Sequence, residues 1–123
     1  MGTAVTVTTD LIFSTKISST AKALQMDARA VSNADALAAV LEESDVSVVM
    51  VDMSLGEKAG EALRCAAGHA RSPATVAFYS HVQAELREAA EVAGAQHVMP
   101  RSQFSEQLPV LLAKYGDRDD GSA

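Results

Sequence analysis

The chain has 123 residues, a formal net charge of −6, 48% hydrophobic residues, 4% aromatics and one cysteine. That size fits one domain, and the apolar fraction excludes disorder of the whole chain. The acidic balance and the lack of Trp exclude a dominant nucleic-acid-binding role, and a lone thiol, Cys65, excludes an internal disulfide or a cysteine-built zinc site.

A reducing, cytosolic setting follows from the cysteine usage. No apolar run is long enough for a membrane span, and no basic-then-apolar leader opens the sequence. Nearly a fifth of the residues are Ala, so the core is expected to be built from small side chains between Val and Leu.

Short β-like runs alternate with helix-like runs, five of each. Ala4–Thr8 predicts a first strand. Phe13, Ile17, Ala21 and Leu24 follow at helical spacing, on a segment whose Ser and Thr lower its propensity. Asp27–Val31 predicts a short, weak strand. Ser32-Asn33-Ala34-Asp35 reads as an N-cap with an acid three residues on, ahead of Leu37, Val40 and Leu41.

Val46–Val51 is the clearest strand, a nearly continuous apolar run of the kind buried on both faces of a parallel sheet, and it ends at Asp52. A helix from about Gly60 to Ala70 is closed by Ser72-Pro73. Ala74–Tyr79 predicts the fourth strand, ending at Ser80. Gln83–Ala93 predicts a charged helix stopped by Gly94, and Gln96–Met99 the fifth strand. Phe104, Leu108, Leu111, Leu112 and Tyr115 form the last apolar stripe. Pro109 is tolerable there if the helix begins near Glu106, because first-turn amides have no intrahelical acceptor. Residues 116–123 read as a disordered tail or the start of a linker.

Five βα units imply a parallel sheet covered by helices on both faces, with function gathered at the carboxyl ends of the strands. Those ends hold Thr8-Thr9-Asp10, Asp52, Ser80 and Arg101. No Gly-rich phosphate cradle, nucleophile–base spacing or His/Cys metal spacing accompanies them; His69, His81 and His97 share no ligand pattern. A conventional enzyme is therefore not expected.

Val48-Val49-Met50-Val51-Asp52-Met53, Val76-Ala77-Phe78-Tyr79-Ser80-His81 and Ala93-Gly94-Ala95-Gln96-His97-Val98-Met99-Pro100-Arg101-Ser102 occur in that order, with Asp52, Ser80 and Arg101 spaced by 28 and 21 residues. In this the chain resembles a response-regulator receiver domain (CheY-like) over residues 1–115. The resemblance implies a flavodoxin-like α/β fold with strand order 2-1-3-4-5. It implies Asp52 as phosphoacceptor or its remnant, and Ser80 and Arg101 as the phosphoryl contacts. Mg²⁺ would sit in an acidic pocket at Thr8, Thr9 and Asp10, held by Asp10 and Asp52 if it is retained.

Three positions depart from the family pattern. Thr8 and Thr9 are neutral where two acids are usual, leaving Asp10 either to cap the next helix or to turn inward as a ligand. Arg101 replaces a lysine and is able to pair permanently with Asp52. Val98 stands where a Tyr or Phe switch is usual. The sequence thus reads as an atypical or pseudo-receiver acting through protein–protein contact. The alternatives are a working phosphorelay receiver modified on Asp52 by a histidine kinase, or an unrelated small-ligand or scaffold domain on the same fold. The partners so implied are a sensor kinase or a downstream effector, with a homodimer surface on the fourth helix, fifth strand and fifth helix. Nucleic acid and membrane are not among the expected partners.

Overall fold

The structure, a computed structural model, describes residues 2–80 and 84–116. Strands β1 (Thr3–Val7), β2 (Asp27–Val31), β3 (Val46–Asp52), β4 (Ala74–Tyr79) and β5 (His97–Pro100) alternate with helices α1 (Leu11–Ala23), α2 (Ala34–Glu43), α3 (Glu57–Ala67), α4 (Ala84–Val92) and α5 (Arg101–Gly116). All pairings are parallel, and the order is β2-β1-β3-β4-β5. This is the flavodoxin-like arrangement expected from the resemblance.

The strands between the two edges explain the apolar runs. Every residue of β1, β3 and β4 is buried, because helices cover both sides. Along β3, Val49 and Val51 face Leu37, Leu41 and Leu63 beneath α2 and α3, while Val48 and Met50 face Ile17, Phe104 and Leu108 beneath α1 and α5. The period of two along one strand thus feeds two separate cores. A register shift sets Thr3 opposite Val46 but Ala4 opposite Val48. Ser47, the extra residue, is fully buried, and its hydroxyl has no hydrogen-bond partner.

All three phenylalanines meet on the α1/α5 side. Phe78 and Phe104 stack at 4.5 Å between centroids, and Phe13 tilts against both at 5.2 and 5.8 Å. The small aromatic content is therefore concentrated under one end of the sheet.

Several boundaries differ from the sequence expectation. The cap of α2 is Asn33, whose Oδ1 accepts from the Ala36 amide at 2.8 Å, and not Ser32. The third helix starts at Glu57 instead of Gly60, because Gly56, at φ 68°, turns the chain straight out of a 3₁₀ turn over Met53–Leu55. It ends at Ala67, where Gly68 follows.

The largest correction concerns α5, which begins at Arg101 rather than near Glu106, so Pro109 lies inside the helix. Phe104, Leu108, Leu111 and Leu112 all bury on one side, and that requires helix from the first turn onward. Pro109 faces solvent, where its missing amide is least disruptive. At the end of α4, Gly94 adopts φ +109°, and a Cβ there would stand 2.7 Å from the Ala67 Cβ, so conformation and space both require glycine. The tail expected over 116–123 lies, beyond Gly116, outside the described residues. No helix among the described residues is long and apolar enough to cross a membrane.

Candidate functional site

Parallel strands that end together bring their next residues together, and here this happens above β1, β3 and β4. Asp52 is the last residue of β3 and is 3% exposed. Its charge faces neutral donors. Thr8 Oγ1 donates to Asp52 Oδ2 at 2.8 Å, while the Ser54 amide and Ser54 Oγ donate to Asp52 Oδ1 at 2.9 and 2.7 Å. Asp52 thereby caps the 3₁₀ turn and ties β3 to the end of β1.

Ser54 is the contact the sequence reading missed. The Asp-x-Ser spacing of Asp52-Met53-Ser54 was the available signal, since an Asp commonly accepts from the amide two residues on. Thr8 serves two groups at once: it donates to Asp52, and it accepts from the Asp10 amide at 3.0 Å. Thr9 is exposed and lines a groove over the ends of β1 and β2, together with Thr8, Leu11 and Ala30.

Asp10 caps α1, its Oδ1 accepting from the Phe13 amide at 2.9 Å. Its Oδ2 accepts from Arg101 Nη2 at 2.6 Å. Arg101 therefore pairs with Asp10 and not with Asp52, which corrects the sequence expectation. The physical reason lies beneath it: the Arg101 guanidinium rests 3.9 Å above the Phe13 ring, and Phe13 is in the first turn that Asp10 caps. The aromatic face and the capping carboxylate thus hold the guanidinium together. Arg101 and the Phe13 amide keep the Asp10 carboxyl below its ordinary value.

Ser80 follows β4 on the exposed rim. The segment 81–83 lies outside the described residues, and with it His81 and the reading of Ser80 as a helix cap. Val98 pairs with Ala77 in the sheet and packs, half-buried, against the core under α2–α4. A valine there has no polar tip to carry between a buried and an exposed position. Cys65 is half-buried on α3, and burial, followed by the Asp35 charge, pushes its thiol pKa up, as for an inert core thiol.

A divalent cation of the Mg²⁺ kind requires several oxygen ligands in near-octahedral array, with carboxylates among them. The donor set above Asp52 does not fit that need. Asp10 is neutralised by a guanidinium, Thr8 points its proton at Asp52, and both Asp52 oxygens already accept. Among the described residues no three His, Cys, Asp or Glu side chains converge as metal ligands.

No family model and no curated protein matches the sequence. Solved structures do match the fold. A CheY-like response regulator receiver domain protein from Methanospirillum hungatei JF-1 superposes with a TM-score of 0.81 at 13% identity, covering 100% of this chain and 99% of that one. A response regulator from Thermotoga maritima gives 0.79 at 16% identity over 94% and 97% of the two chains. A response regulator receiver protein from Burkholderia phymatum gives 0.74 at 21% identity over 94% and 96%. The chain thus has the fold of response-regulator receiver domains, over essentially the full length of these neighbours.

Proposed function

We propose that this domain is an atypical receiver that signals by protein–protein contact, without phosphoryl transfer, without Mg²⁺ and without enzymatic turnover. One observation supports the reading: among the described residues, the guanidinium at the strand ends pairs with Asp10, and Asp52 is held by Thr8 and Ser54. A carboxylate nucleophile needs nearby positive charge to draw in a phosphoryl donor and to neutralise the charge that builds up on transfer. Asp52 in this arrangement is an anchor that fixes the β1–α1 and β3–α3 loops, and the surface so fixed is what a kinase-like or effector partner would read.

Incubation with Mg²⁺ and acetyl phosphate, followed by intact-protein mass measurement, tests the reading. The expected result is an unchanged mass. A phosphoryl-sized gain that vanishes in Asp52→Asn would establish a working phosphorelay receiver instead.

A further inference from the structure

The sheet separates charge as well as core. On one face, α2 carries Asp35, Glu42 and Glu43 with no base, α4 carries Glu85, Glu88 and Glu91 against Arg87, and α3 balances Glu57 and Glu61 with Lys58 and Arg64. On the other face, α1 has Lys16 and Lys22 and no acid, and α5 adds Lys114 against Glu106, with Arg101 already neutralised by Asp10. One face is acidic, and the other is weakly basic.

Each face also bears an apolar feature that the described residues leave uncovered. On the basic face, Leu11 and Ile12 open α1 at 78% and 87% exposure. Lys16, one turn further on, donates among the described residues to the neutral Ser105 hydroxyl, and nothing in that contact cancels its charge. On the acidic face, a groove of about 390 Å³ runs between α3 and α4, lined by Met53, Leu86 and Ala89, with Glu57, Glu61 and the oppositely charged Arg64 along its α3 wall. Glu85, one turn before Ala89, stands on the same side of α4.

We infer that the groove receives the first turn of α1 from a second copy of this chain, Leu11 and Ile12 entering between α3 and α4 while Lys16 meets Glu57 or Glu61. Two complementary features sit on opposite faces of one molecule: an apolar pair beside a cation, and an apolar groove where Glu57, Glu61 and Glu85 outnumber Arg64. The contact is therefore head-to-tail: each copy keeps a free groove and a free α1, and assembly proceeds to short open chains instead of stopping at a symmetric dimer. Charge steers the approach, and the apolar contact holds it. This supplies a partner for the interaction module proposed above, yet it is tested separately, because association is measured whether or not Asp52 takes a phosphoryl group.

The experiment uses the full chain and light scattering behind size exclusion, over a wide concentration range at low and at high salt. The expected weight-average mass rises past that of a dimer with concentration at low salt and drops towards the monomer at high salt. Ile12→Asp blocks one end and Ala89→Lys the other; both positions are exposed, and circular dichroism confirms folding. Each variant alone is expected to stay monomeric, and their equimolar mixture to stop at a dimer, since one intact α1 and one intact groove remain.

Should either variant fail to fold, Lys16→Glu and Glu61→Lys test the contact by charge exchange: each alone is expected to associate less than wild type, and their mixture, in which both contacts are again oppositely charged, to regain open chains. A wild type that stays monomeric at every concentration overturns the inference. So does association that survives both single variants, and so does a mixture in which the two variants do not combine.

Discussion

Arg101 Nη2 meets Asp10 Oδ2 at 2.6 Å, joining the start of α5 to the cap of α1 across the end of the sheet. The guanidinium is steered by the Phe13 face at 3.9 Å, so one side chain ties together a cap, an aromatic cluster and two loops. Removing it separates these effects. Arg101→Ala loses the stacking on Phe13, a contribution of about 0.5–1 kcal/mol for a partly exposed cation–π pair. Arg101→Lys keeps the charge but loses the planar stack, and is expected to fall between wild type and Ala in urea unfolding.

The same pair has a pH signature. Arg101 first, and then the Phe13 amide, lower the Asp10 pKa from its ordinary 3.8. A depressed folded-state value means that the ionised form is favoured by folding, so its stabilisation is complete above about pH 4–5 and is lost as pH falls through the folded value. Asp10→Asn should therefore melt below wild type at neutral pH, and the gap should close in acid, below pH 3.8. Thermal melts of both proteins across that range measure it; no gap at neutral pH would show that Asp10 acts only as a cap, since Asn caps equally well.

Asp52 is predicted to be structurally costly to remove. Asp52→Ala strands the Thr8 hydroxyl and the Ser54 amide at a buried position, a loss of about 1–3 kcal/mol. Asp52→Asn keeps one carbonyl acceptor for Ser54 and should lose less. The order Ala worse than Asn, read from denaturant midpoints, distinguishes an anchor from a side chain held only for reactivity.

Adding acids tests whether the present donor set is what disfavours a divalent cation. With Thr8→Asp and Thr9→Asp, and Arg101→Lys to release Asp10, a second carboxylate stands against Asp52. Like charges this close repel, so the variant should melt below wild type in a chelator. Millimolar Mg²⁺ should raise its melting temperature while leaving wild type unmoved, because only a folded-state ligand stabilises by mass action.

Much of the architecture was legible because its causes are local. The apolar run Val46–Val51 announces a strand covered on both faces, and β2 (Asp27–Val31) and β4 (Ala74–Tyr79) have the expected bounds. The full extent of α5 was not legible, since Pro109 is a local obstacle that burial of Phe104 and Leu108 overrides. Ser54 was legible in principle, from its position two residues after an aspartate.

What the sequence determined by itself was the order of five βα units and the set of side chains delivered to the strand ends, because periodicity and turn residues act along the chain. Which of those side chains would bond to which was decided only by the tertiary structure. Arg101 lies 91 residues from Asp10, and Thr8 lies 44 from Asp52. The choice of Asp10 over Asp52 for the single guanidinium depends on where Phe13 holds its ring, a matter of packing between α1 and α5 that no local pattern encodes.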